Sequence, residues 1–183
     1  MKTHTLKPLE DNELLDVVNE NNEVIGVEKR VVIHAKKLRH RSVNLIIFNK
    51  DKTKILIQKR SLLKQKCPGL FCLVGGHIDS LEDPLDASVR EFSEEMLSKK
   101  NCDIDLSLCF IFRNEADGDH EFTYVYEGTY NGNFNTNNEV SDCSYVEVGE
   151  LIKNIDSQPQ MYTEKTILVL KTYNLLNLKN TNQ

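Results

Sequence analysis

Residues 76–96 read GHIDSLEDPLDASVREFSEEM, and this run decides the fold of the whole chain. Asp83 is suited to accept a hydrogen bond as an N-cap, Pro84 fits the first helical position, and Asp86 places negative charge in the first turn. The pattern therefore predicts a helix that begins at Pro84. Leu85, Val89, Phe92 and Met96 recur at helical spacing and form one apolar stripe, which buries the helix against a core.

Glu91, Glu94 and Glu95 share a face turned away from that stripe. Like charges at such offsets cost a bare helix about 0.2–0.5 kcal/mol per pair, so the cluster calls for a hard divalent cation with oxygen ligands, Mg²⁺ being the natural candidate. Arg90 is placed to pair with one acid and hold it, while Gly75 and Gly76 let the backbone pass close and Gly75 offers a carbonyl ligand. A lone E-x-x-E-E is ordinarily a solvated acidic face. Here it follows Gly76, then Glu82 after five residues, then Arg90-Glu91 after seven more, a combination that chance rarely supplies.

Upstream of the glycines, residues 14–18 and 23–27 read as two strands around the polar turn Glu20-Asn21-Asn22, an N-terminal hairpin over 14–28. Residues 31–36 suit a short helix. Strands at 42–49 and 54–58, separated by Lys50-Asp51-Lys52-Thr53, are expected to pair, and a strand at 72–74 follows the turn formers Pro68 and Gly69. Downstream, strands at 104–113 and 121–130 flank a turn at 115–119, a loop spans 131–138 at the site mouth, and a last strand covers 144–148. Helices fit 149–155 and 163–176, the second carrying Ile167, Leu170 and Leu175, before a tail at 179–183 that should fray.

At 183 residues, 39% hydrophobic and 28% charged, the chain has the composition of one globular domain spanning 1–183. A net charge of −5 and a pI near 5.6 argue against a nucleic-acid polymer as partner. The opening residues lack an apolar core of signal-peptide length and no apolar run is long enough to span a bilayer, so the expectation is a soluble, cytoplasmic protein with no membrane partner. Cys67, Cys72, Cys102, Cys109 and Cys143 are odd in number and contain no C-x-x-C pair, which favours neither a disulfide framework nor a zinc knuckle; most are expected to be small core residues.

With these residues in place, the chain resembles the Nudix hydrolase family, whose signature is filled by Gly76, Glu82, Arg90, Glu91, Phe92, Glu94 and Glu95. Two late positions depart: Leu97 stands where the family has glycine and Ser98 where it has an apolar residue, which puts the helix end in question more than the acids. The resemblance implies an α/β fold, an α/β/α sandwich with a mixed sheet, and divalent-metal-dependent hydrolysis of a phosphoanhydride in a nucleoside diphosphate linked to another moiety. It makes Glu91, Glu94 and Glu95 the metal-binding acids, with Mg²⁺ or Mn²⁺ as cofactor, and Glu91, Glu121 and Glu139 the candidate general bases. Such hydrolysis needs neutralised phosphoryl charge, a water of lowered pKa and an acceptor for its proton.

A narrower resemblance, over about residues 14–155, is to the isopentenyl-diphosphate isomerases and the Nudix hydrolases nearest to them, carried by Arg30, His34, His40, QKRSLLKQKCPG at 58–69, GGH at 75–77 and a late acidic strand. It implies that Arg30, Arg60 and Lys64 hold a diphosphate, and that His34, His40, His77, Asp119 and Glu121 form a second site for Zn²⁺ or Mn²⁺. It also implies a homodimer. The catalytic cysteine of the isomerases is expected immediately before the Gly-His pair, where this chain has Gly75, and glycine serves neither as acid nor as base. Hydrolysis of a small-molecule diphosphate is therefore the leading expectation, with isomerisation and non-catalytic diphosphate binding as alternatives. Phe122, Tyr124 and Tyr126 either stack on a substrate ring or pack the core.

Overall fold

The computed structural model describes residues 13–99 and 102–180. Strands β1 (Leu14–Val18) and β2 (Val24–Lys29) pair antiparallel as a separate hairpin, and Asn19 Oδ1 closes the turn by accepting from the backbone N–H groups of Asn21 and Glu23. Helix α1 (Arg30–Lys36) follows directly and stops on Lys37, which is left-handed with φ 53°. The remaining strands, β3 (His40–Phe48), β4 (Lys54–Arg60), β5 (Phe71–Cys72), β6 (Leu106–Asn114), β7 (Glu121–Thr129) and β8 (Val140–Glu147), make one mixed sheet. β3 runs parallel to β7 along its whole length, β6 and β7 form the expected antiparallel hairpin, and β8 lies antiparallel on β4.

β3 and β4 pair antiparallel, as expected, but in register only at Phe48↔Ile55 beside the turn, after which they splay apart. The segment between β5 and Ile78 fills the fork. Cys72 pairs with Gln58 on β4, after which Val74 O accepts from Leu45 N at 2.9 Å and Gly76 O accepts from Val43 N at 2.9 Å on β3. The expected strand at 72–74 is thus a two-residue strand followed by a crossing from one tine to the other. That crossing carries Gly75 and Gly76 across the middle of the sheet.

Helix α2 (Pro84–Leu97) starts as its sequence dictates, with Asp83 Oδ1 accepting from Leu85 N at 2.8 Å. Phe92 and Met96 are fully buried, but Leu85, at the first turn where the helix has not yet reached the sheet, is 40% exposed and falls off the stripe. Ser88 and Ser93 take buried places instead, their hydroxyls donating back to the carbonyls of Pro84 and Val89. The helix ends at Leu97, with Ser98 left-handed at φ 48°, and Asn135 N and Asn137 N bond the last-turn carbonyls of Met96 and Glu95. The Asn-rich loop therefore caps the helix.

Alternation along β3 sends Leu45 and Ile47 under α2 and Ile46 and Phe48 to the opposite face, where α3 (Val148–Ser157) and α4 (Glu164–Asn180) pack through Leu151, Ile155 and Val169. This is the α/β/α sandwich. β8 begins four residues earlier than expected because pairing with β4 overrides the turn-like Ser141-Asp142. Helix α4 continues through residues 179–180, the start of the expected frayed tail; residues 181–183 and the side chain of Leu175 lie outside the described part. Of the cysteines Cys72 is buried and Cys102 and Cys143 are partly buried against the core under α2, whereas Cys67 and Cys109 are partly buried on a loop and a strand away from it. Among the described residues no helix is long and apolar enough to cross a membrane.

Candidate active site

The fork between β3 and β4 opens into a cleft of about 270 Å³, walled by α2, the crossing segment, the loop after β4 and the first turn of α4. Gly76 lies against Glu91: a Cβ there would fall 2.4 Å from the Glu91 carboxyl carbon. At Gly75, with φ 154°, a Cβ would meet Val43 O at 2.2 Å and Asn44 Nδ2 at 2.5 Å. Both glycines are thus required by close approach, one to a carboxylate and one to the sheet.

Glu95 turns inward, where Gln58 Nε2 donates to its Oε2 at 2.8 Å and Gly75 N at 3.3 Å. Glu94 stands half-exposed at the rim. Burial together with the neighbouring Glu95 pushes Glu91 up to about 8, against the pull of Arg90, and burial raises Glu95 to about 7 despite Gln58 and Lys64. Arg90 donates to both oxygens of Glu82, at 2.8 Å each, to Glu91 Oε1 at 2.8 Å and to His77 O at 2.9 Å. Arg90 was expected to pair with one acid; it bonds two, Glu82 through both oxygens and Glu91 through one.

Across the cleft, Lys64 Nζ bonds Glu139 Oε2 at 2.5 Å, and Arg60, whose Nε donates to Lys66 O, lies beside Cys72 and Glu95. Arg30 reaches the same cleft while paired with Glu13 at 2.9 Å.

One residue further along the crossing, His77 joins His34 and His40, with ring centroids 5.1–5.3 Å apart. His40 Nδ1 points at Leu38 O, 3.0 Å away, and its Nε2 faces Glu121 Oε1 at 3.4 Å; His77 Nε2 lies 4.0 Å from the same oxygen, and His34 Nδ1 is 3.1 Å from Asp119 Oδ1. Ligand atoms within the trios His34–His40–His77 and His40–Asp119–Glu121 all fall within 4.8 Å of one another. Burial opposes ionisation of Glu121, but Lys165 and His40 overcome it and hold the carboxyl well below its usual range. Burial, Arg30 and His40 together hold the His77 imidazole neutral at neutral pH.

Of the residues expected at the site, all but His40 and Glu121 line the cleft; those two are each 1% exposed and lie off its lining, in contact with it through His77 and His34. Sequence reasoning missed Gln58, Asn44, Asn137, Lys66 and Lys165. Lys66 belongs to the same basic run as Arg60 and Lys64, and Asn137 to the loop placed at the mouth, whereas nothing local distinguishes Lys165 from any other lysine of an amphipathic helix. None of the three aromatic residues considered for stacking lines the cleft. Tyr124 accepts a hydrogen bond from Asn22 Nδ2, Tyr126 is buried in the core, and Phe122 lies under Arg39.

Comparison with known proteins agrees with this architecture. The NUDIX domain model matches residues 38–165. The chain is 28% identical to isopentenyl-diphosphate Delta-isomerase 1 of Aromatoleum aromaticum over 160 residues, 85% of this chain and 88% of that protein. It is 36% identical to the uncharacterized Nudix hydrolase YfcD of Escherichia coli over 89 residues, 48% of this chain and 49% of that one. Among solved structures, DR0079 from Deinococcus radiodurans superimposes with a TM-score of 0.72 at 23% identity, covering 87% of this chain and 98% of that one. With the domain model spanning well over half its length and the acids of the signature gathered on one cleft wall, the chain belongs to the Nudix family.

Proposed function

We propose that the protein is a divalent-metal-dependent hydrolase of a phosphoanhydride in a small-molecule diphosphate. The observation that carries this reading is the placing of the Glu91 and Glu95 carboxylates at the floor of the cleft, in contact with Gly76 and Gly75, with Arg60 and Lys64 on the facing wall. Buried carboxylates crowded enough to raise their own proton affinity call for a cation. The donor set suits Mg²⁺ or Mn²⁺: the oxygens of Glu91, Glu94 and Glu95, the Gly75 carbonyl, and Asn44 Oδ1, buried on the cleft wall without a hydrogen-bond donor. When bound there, such an ion supplies neutralisation of phosphoryl charge and a more acidic water.

The chain's own residues do the rest. Arg60 and Lys64 grip the phosphate oxygens, and Arg90, tied to Glu82, keeps Glu91 aimed into the cleft. Of the three glutamates considered as base, Glu121 is unsuited, because Lys165, Ser42 and Asn114 occupy its Oε2 and depress its basicity. Glu91 and Glu139 are the bases in contention. Isomerisation has support from the 85% coverage by the Aromatoleum isomerase, but it lacks an acid–base residue at Gly75, and Cys72 is a buried thiol pushed up to about 11 by burial.

The test is phosphate or nucleotide release from nucleoside diphosphate conjugates, nucleotides and isoprenoid diphosphates with Mg²⁺. Turnover of at least one that collapses in Glu94→Gln supports hydrolysis. Conversion of isopentenyl to dimethylallyl diphosphate, or diphosphate binding with no turnover of any compound, overturns it.

A further inference from the structure

The histidine cluster has the side chains of a metal site, yet each of its carboxylates already holds an ammonium group. Lys165 Nζ lies 2.5 Å from Glu121 Oε2, and Lys66 Nζ bonds Asp119 Oδ1 while standing 3.3 Å from His34 Nδ1. Glu121 is 1% exposed, and its Oε2 also accepts from Ser42 Oγ at 2.9 Å and Asn114 Nδ2 at 3.2 Å. Lys165 is fixed from behind as well: Asp117 accepts from the backbone N–H groups of Glu164 and Lys165, and Thr166 Oγ1 accepts from Leu73 N, so the first turn of α4 is pinned to the sheet.

We propose that Lys165 and Lys66 are the resident cations of this cluster and exclude the second metal ion that the isomerase resemblance implies. A divalent ion among His40, Asp119 and Glu121 would stand beside the Lys165 ammonium, 19% exposed against a 1% exposed Glu121, where repulsion between like charges is poorly screened, and beside Lys66, whose 42% exposed side chain adds a weaker, better screened repulsion. It would also have to displace the Lys165 ammonium from its contact with Glu121. Such displacement leaves a lysine with a buried stem and no acid partner at that oxygen. His40 Nε2 is buried and makes no hydrogen bond, so it is the atom on which an ion would land if the lysines yielded, and substitution there reports occupancy. The proposal concerns only this end of the cleft and holds or fails apart from the hydrolase reading.

The experiment counts Mn²⁺ and Zn²⁺ equivalents bound to the chelator-treated full chain by equilibrium dialysis. Wild type and His40→Gln should bind equal numbers of ions. Lys165→Met, or Lys66→Met combined with Lys165→Met, should gain one equivalent, bound at least tenfold more tightly than any ion at this cluster in wild type, and adding His40→Gln should remove it. Lys165→Arg, which keeps the charge, should gain none. Should Lys165→Met fail to fold, Lys165→Gln, which removes the charge and keeps a donor for Glu121, must show the gain. A wild-type ion that His40→Gln abolishes, or the absence of any gain in the folded lysine variants, overturns the proposal.

Discussion

Arg90 holds Glu82 through both carboxylate oxygens, Nε to Oε1 and Nη2 to Oε2 at 2.8 Å each, and the same guanidinium also bonds Glu91 Oε1 and His77 O. One side chain thereby clamps the loop 76–82 to α2 and sets the direction of an acid in the cleft. Its charge is retained because the Glu82 and Glu91 carboxylates outweigh the effect of burial. Lysine has no planar fork with which to repeat this. Arg90→Lys should lower stability by about 2–3 kcal/mol, and a double-mutant cycle with Glu82→Gln should return a coupling of about 1–3 kcal/mol in urea unfolding. Additive effects would show that the two residues do not act together.

Gly76→Ala tests the contact with Glu91. A Cβ 2.4 Å from the carboxyl carbon forces that side chain aside, and displacement of about 1 Å at a reacting site costs on the order of 100-fold in turnover. Gly75→Ala differs in kind, since its Cβ would strike the backbone oxygen of Val43 at 2.2 Å, so folding rather than turnover alone should suffer. Thermal melts of the two variants, set beside their kcat values, separate these outcomes.

The crowded acids predict a pH dependence with a definite sign. Glu91 and Glu95 are raised in the folded state, to about 8 and about 7, so between pH 6.5 and 8.5 the folded chain binds more protons than the unfolded chain and stability falls as pH rises. His77, lowered by burial, has the opposite slope, which follows protonation of the unfolded histidine and so offsets the acids at the lower edge of this window and fades by about pH 7.5. With chelator present, Tm should drop from pH 6.5 to 8.5; Glu91→Gln should flatten the slope, and Mg²⁺ should raise Tm more at pH 8.5 than at 6.5. A flat wild-type profile in chelator contradicts this account of the two acids.

Ser98 supplies the left-handed residue after α2 without the freedom of glycine. Ser98→Gly should stabilise the chain by about 1 kcal/mol, raising Tm by about 2–4 °C, with turnover unchanged.

Local chemistry made much of this site readable. Asp83, Pro84 and the Glu91–Glu94–Glu95 spacing act within a few residues of one another, so the helix, its start and its acidic face follow from sequence. The inward turn of Glu95 does not, because its partner Gln58 comes from a strand 37 residues earlier. Nor does the fork between β3 and β4. Two apolar strands across a short turn ordinarily pair, and only the distant segment 72–78, inserting against β3, decides that they part. Lys165 was invisible for the same reason: its meaning lies in Glu121, which reaches it from another element.

The central claim, that the α2 acids hold a divalent ion beside a scissile diphosphate, is met most directly by titrating chelator-treated protein with Mn²⁺ while following phosphate release from the best diphosphate substrate. Release should be absent in chelator and should rise in step with Mn²⁺ bound. In Glu94→Gln it should fall at least about 100-fold, with the fold intact. Full release in chelator, or undiminished release by Glu94→Gln, would contradict it.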